Sequence, residues 1–125
     1  MVSRRPQSAD ARKVLIRCNG SGDIGLVSPS SLNDAYYILR RQYGENKARA
    51  VVCRLMDFID IVPCGAEECS MSALSDEHDF EDGIIRACAE LNEVDFILTR
   101  DAAAFRRSKV RSMNCADYLS LFGSE

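Results

Sequence analysis

Apolar residues recur along this chain in two rhythms. Ala11, Val14, Leu15 and Cys18 stand at helical spacing, so residues 8 to 18 read as a helix capped by Ser8 and stopped by Asn19-Gly20-Ser21-Gly22. A short continuous run from Ile24 to Ser28 reads as a strand. In PSSLNDAYYILRRQYG, a serine cap and the stripe Leu32, Ala35, Tyr36, Leu39 predict a second helix that Gly44 ends. Glu45 to about Phe58 is a third, with Ala48, Val51, Val52, Leu55 and Met56 on one side. A second strand covers Asp60 to Pro63, and residues 66 to 74 form a short helix. Asp79 reads as the cap of the next helix, with Glu81 and Asp82 in its first turn, where negative charge opposes the helix dipole. Ile84, Ile85, Cys88 and Leu91 are its expected buried face. A third strand runs from Asp95 to Thr99, a turn or short helix covers 101 to 105, and Lys109 to Arg111 is an edge strand. Asn114 and Asp117 have capping-box-like spacing and open a last short helix through Leu121.

Strands alternating with helices predict an α/β sandwich around a parallel sheet. A length of 125 residues suits one domain with one core, spanning 1–125. The strands are few and short for the helices they must support. The expectation is therefore that an N-terminal strand is absent from this chain.

Composition narrows the class. No run reaches the roughly 18 apolar residues of a membrane span, and MVSRRPQSADARK lacks the apolar core of a signal peptide. A cytoplasmic protein is expected. The six cysteines (18, 53, 64, 69, 88 and 115) form no CxxC pair, and His78 is the single histidine. The spacing from Cys64 to Cys69 is too wide for a zinc knuckle, so structural zinc is a poor fit and free, mostly buried thiols are expected. Net charge is −3 but uneven: residues 1–60 carry 10 Lys+Arg against 6 Asp+Glu, and residues 61–125 carry 6 against 13. A basic surface beside an acidic cleft suits a polyanionic substrate; an unevenly charged solvated surface gives the same counts.

The chemistry sits in DFEDGIIRACAELNEVDFILTRDAAAF, residues 79–105. A helix with acids in its first turn, then an apolar strand, then Asp101, can bring Asp82 and Asp101 to one edge of a parallel sheet, where α/β proteins place their sites. Two carboxylates there suggest a hard divalent cation and hydrolysis of a phosphate ester. The plainer readings are a helix N-terminal acid for Asp82, a turn residue for Asp101 and a solvated surface acid for Asp34.

Three stretches resemble bacterial PIN domains, the fold of toxin-type (VapC-like) ribonucleases: VSPSSLNDAYYILRR (27–41), the 79–105 block, and SKVRSMNCADYLSLF (108–122). The resemblance implies a three-layer α/β sandwich with a central parallel sheet. It also implies an endoribonuclease in which carboxylates hold Mg²⁺ or Mn²⁺, a cognate antitoxin as partner, a homodimer, and RNA as substrate. It assigns metal-binding and catalytic roles to Asp34, Asp82 and Asp101. Thr99 and Glu81 support them, and Arg100, Arg106, Arg107 and Lys109 contact RNA. The family's opening strand, whose Asp is the first metal ligand, has no counterpart here. A segment of roughly 20 residues, enough for one strand and one helix, is expected to be missing. The rival expectation is an inactive PIN-fold binding module. Tyr36 and Tyr37 can stack on bases, but Tyr36 shares the apolar stripe of its helix and suits the core.

Overall fold

A computed structural model describes residues 6–20 and 22–122. The chain forms two compact units, Met1–Pro63 and Cys64–Glu125.

In the first unit, α1 (Pro6–Asn19) leads to β1 (Gly25–Val27), α2 (Pro29–Tyr43), α3 (Glu45–Leu55) and β2 (Ile59–Ile61). Helix α1 starts at Pro6, so Ser8 lies inside it and is not its cap. The helix ends where the Gly20 amide donates to the Ile16 carbonyl at 2.9 Å; Ser21, part of the expected stop, falls outside the described residues. Ser28 caps α2, accepting from the Ser31 amide at 3.2 Å, and Pro29 occupies the first turn, where its missing N–H costs nothing. Gly44, at φ +88°, closes α2 and opens α3; this left-handed backbone is what requires glycine there. Leu39 and Ala48 are the buried residues of the two helices. Val51 and Met56 of the predicted stripe are instead exposed. Strands β1 and β2 pair in parallel, with Leu26 opposite Asp60 on the open face and Val27 opposite Ile61 on the other.

The second unit holds α4 (Ala66–Ala73), α5 (Phe80–Leu91), β3 (Phe96–Leu98), a 3₁₀ turn (Ala102–Phe105), β4 (Arg111–Met113) and α6 (Cys115–Phe122). Strands β3 and β4 are parallel, with Leu98 opposite Met113. The closing strand thus lies two residues beyond the predicted 109–111, because its pairing places Met113 in the interior. The core joins Ala89, Ile97, Phe105 and Val110, flanked by Ile85, Val94 and Ala104. Burying a side chain the size of Ile97 stabilises by roughly 1.5–3 kcal/mol. Phe96, Tyr118 and Phe122 form a second, aromatic cluster with ring centroids 5.0–5.8 Å apart.

The inner face of α5 differs from the predicted one. Gly83, Ala87, Cys88 and Ala89 are buried, while Leu91 is 41% exposed. Small residues line this face because α4 lies so close: a Cβ on Gly83 would collide with the Ser72 hydroxyl. Parallel pairing agrees with the α/β expectation, but among the described residues the strands pair two by two. The thiols were expected to be mostly buried, but of the six only Cys88 is; Cys53 and Cys69 are exposed.

Candidate active site

The candidate acids of the second unit are positioned by local backbone chemistry. Asp79 caps α5, its carboxylate accepting the Asp82 amide at 2.9 Å. Asp82 therefore sits in the first turn of α5, partly covered, beside the exposed Glu81. The ladder of β3 runs one residue past the strand, where the Thr99 amide donates to the Met113 carbonyl at 3.0 Å. The Thr99 hydroxyl then accepts the Asp101 amide at 3.1 Å, fixing the turn that carries Asp101 at the N-terminus of the 3₁₀ segment. Asp101 thus stands at the C-terminal end of a parallel strand.

The Asp82 carboxyl is pushed above the ordinary aspartate range. Burial is the larger cause, and the negative charges of Asp79, Glu77 and Asp101 add to it. Asp101 is thus close enough for the two acids to repel one another. Glu77 was not legible in the sequence as part of this group. Its side chain is only 4% exposed and pairs with Arg86 at 3.0 Å. Arg86 also pairs with Glu90 at 3.0 Å and with Asp76 at 3.1 Å. Burial alone would raise the Glu90 carboxyl. Hydrogen bonds from the Ser108 hydroxyl (2.8 Å), Arg86 and the Lys109 amide (3.2 Å) outweigh that and hold it below its usual range. The i,i+4 spacing of Arg86 and Glu90 was a readable sign of their pair; nothing local marks Glu77.

The basic candidates lie on the segment after Asp101. Arg100, Arg106 and Lys109 are exposed, and Arg107 pairs with Asp76 at 3.4 Å. Arg106 and Arg111 line a shallow cavity of about 360 Å³ with Phe105, Ser108 and Val110. Asp34 belongs to the first unit, exposed on the second turn of α2. His78 is exposed.

The donors around Asp82 are carboxylate oxygens, which suit a hard cation such as Mg²⁺ that keeps several waters and takes one or two protein carboxylates. Among the described residues no group of three or more His, Cys, Asp or Glu is placed to hold an ion. Asp82 and Asp101 alone therefore do not make a complete set of protein ligands for an ion.

The second unit thus places an acid past the C-terminal end of a parallel strand, the edge where α/β folds carry their sites, with exposed Arg and Lys on the segment that follows. The PIN domain profile matches residues 1–103, a stretch that includes Asp34, Asp82 and Asp101. The chain belongs to the PIN domain family, whose members are generally nucleases. No curated protein and no solved structure matches the chain.

Proposed function

We propose that this chain is a metal-dependent endoribonuclease of the toxin type, with Asp82 and Asp101 as its central carboxylates. The observation that carries the reading is the PIN domain match over residues 1–103 together with the placement of Asp82 in the first turn of α5 and of Asp101 past the end of β3, where the negative charges of Asp79, Glu77 and Asp101 surround the Asp82 carboxyl. A group of like charges held together is one that a cation relieves. When bound there, Mg²⁺ or Mn²⁺ lowers the pKa of a water and stabilises charge on the phosphate. Asp82 and Asp101 supply oxygen donors. Thr99 orients the turn bearing Asp101, and Glu81, exposed in the same first turn, supports through water. Arg100, Arg106 and Lys109 hold the phosphates of RNA, with Arg107 partly engaged by Asp76. The PIN resemblance supports Asp34 as a further metal-binding and catalytic acid, a small antitoxin as protein partner, and a homodimer.

One observation favours a second reading, an inactive PIN-fold binding module: among the described residues no three candidate ligands gather. Cleavage of a labelled structured RNA in Mn²⁺ separates the two. The enzyme reading expects cleavage that disappears in Asp82→Asn and Asp101→Asn while their melting curves show folded protein. It also expects Mn²⁺ binding, followed by calorimetry, to weaken in both. Cleavage by Asp82→Asn at the parent rate would sink the assignment, and an inert parent that does not bind Mn²⁺ would establish the module.

A further inference from the structure

The hairpin of α2 and α3 carries a groove that the acid site does not use. It encloses about 460 Å³ and is lined by Leu32 and Val52 on the apolar side and by Asn33, Tyr36, Tyr37 and Arg49 on the polar side. Tyr36 is half-buried, as its stripe predicts, and the Arg49 guanidinium lies over its ring, 5.6 Å from the centroid. Tyr37 falls off that stripe. Its ring meets Tyr36 edge-on, with centroids 5.1 Å apart and planes at 75°, and 48% of its surface stays open. The two rings form a corner, with an amide on the neighbouring Asn33.

We propose that this groove receives a nucleobase of single-stranded RNA, stacked on Tyr37 and contacted at its edge by Asn33. Residues 29–55 hold five Lys or Arg against two Asp or Glu, and one of those acids, Glu45, is engaged by Arg49 at 3.4 Å. That balance complements a phosphate backbone and disfavours a basic peptide. Aromatic corners accept any base, because every base has a π face, while an amide offers both a donor and an acceptor to the base edge. The substrate class rests on the ribonuclease reading; the groove itself does not.

The test uses the full chain in EDTA, so that cleavage does not intrude. Anisotropy of a fluorescein-labelled oligouridylate of about eight nucleotides gives Kd. A matched oligomer of abasic sugar-phosphate serves as the control. Tyr37→Ala is expected to raise Kd for the base-bearing oligomer by about 5-fold to about 100-fold, the usual value of one stacked base. For the abasic oligomer, Kd stays within about 2-fold, as expected where backbone charge alone binds. Tyr37→Phe keeps the ring and tight binding. The chain has no Trp, so tyrosine emission reports stacking directly: RNA quenches it in the parent and less in Tyr37→Ala. Equal Kd values for parent and Tyr37→Ala, or an equal loss with the abasic oligomer, overturn the proposal. Mn²⁺-dependent cleavage without Tyr37-dependent binding overturns the groove and leaves the nuclease standing. Tyr37-dependent binding without cleavage upholds the groove and removes the nuclease.

Discussion

Replacing Arg86 with Met tests the electrostatic framework beneath the acid site. Arg86 is 19% exposed and pairs with three carboxylates: Glu77 and Glu90 at 3.0 Å, and Asp76 at 3.1 Å. Asp76 lies at the surface, and losing its pair changes little. Glu90 keeps the Ser108 hydroxyl and the Lys109 amide. Glu77, 4% exposed, loses the cation that balances its charge. Methionine preserves the apolar stem, so packing contributes little to the change. Breaking a buried pair on one side costs about 3–5 kcal/mol, and the lower end applies because the cluster lies near water, giving about 3 kcal/mol. For a chain of this size that lowers Tm by roughly 10–15 °C. Adding Glu77→Gln removes the orphaned charge and recovers about 1–3 kcal/mol of the loss. Urea unfolding at pH 7 of the parent, both single variants and the double variant gives the coupling. A loss below about 1 kcal/mol in Arg86→Met, or no recovery in the double variant, would show that Glu77 is not held by this pair.

Four further outcomes follow from the same structure. Gly83→Ala destabilises by about 1–3 kcal/mol despite alanine's better helix propensity, because the new Cβ meets Ser72, itself buried and donating to the Phe80 carbonyl at 2.7 Å; Ser72→Gly in the same chain restores the urea midpoint. Glu93 holds a left-handed φ of +52° just past α5, so Glu93→Gly stabilises by about 0.5–1 kcal/mol, and an unchanged or lower Tm would refute that. The Cys88 thiol is pushed up to about 12, first by burial and then by its hydrogen bond with Cys64; iodoacetamide at pH 8 followed by mass spectrometry should label exposed Cys53 and Cys69 first and Cys88 last. Because the folded-state carboxyl of Asp82 is raised, the folded protein holds this proton more tightly than the unfolded chain. Asp82 therefore lowers stability as pH rises above about 4, and Asp82→Asn raises Tm at pH 7 by an amount that vanishes below the ordinary aspartate pKa of about 3.9.

Helix existence and order were readable from periodicity, with Gly44 and Asp79 standing where the pattern asks for them; the cap of α2 is Ser28, read from the sequence as the end of the preceding strand, because Pro29 already occupies the first turn. Strand position was less readable. A three-residue strand carries almost no period of its own, so β4, expected at 109–111, forms at 111–113, where pairing with β3 sets its register. The buried face of α5 was read only in part: Cys88 is buried and Ile85 packs on the core, but Leu91 is exposed and Gly83, Ala87 and Ala89 were missed. Hydrophobicity favours Ile and Leu, but the close approach of α4 at Ser72 demands glycine and alanine, which no spacing rule reveals. Of the candidate acids, the place of Asp82 in a first helical turn and of Asp101 just past a strand was legible from element order, whereas Glu77 lies between helices and pairs with an arginine nine residues further on.

The carboxyl of Asp82 also decides between the two ways of reading an acid in a first helical turn. An acid kept for the helix benefits from the positive end of the dipole, and its pKa falls. Asp79 fills that role here, accepting a backbone amide as the cap. Asp82 is shifted the other way: burial, Asp79, Glu77 and Asp101 together outweigh whatever the helix end contributes. Its charge therefore opposes folding. Asp82 and Asp79, three residues apart in one helix start, thus have different surroundings: a backbone amide for the cap, burial and neighbouring carboxylates for Asp82. The other half of the arrangement is Arg86, whose guanidinium faces Asp76, Glu77 and Glu90 and leaves the Asp82 carboxyl raised.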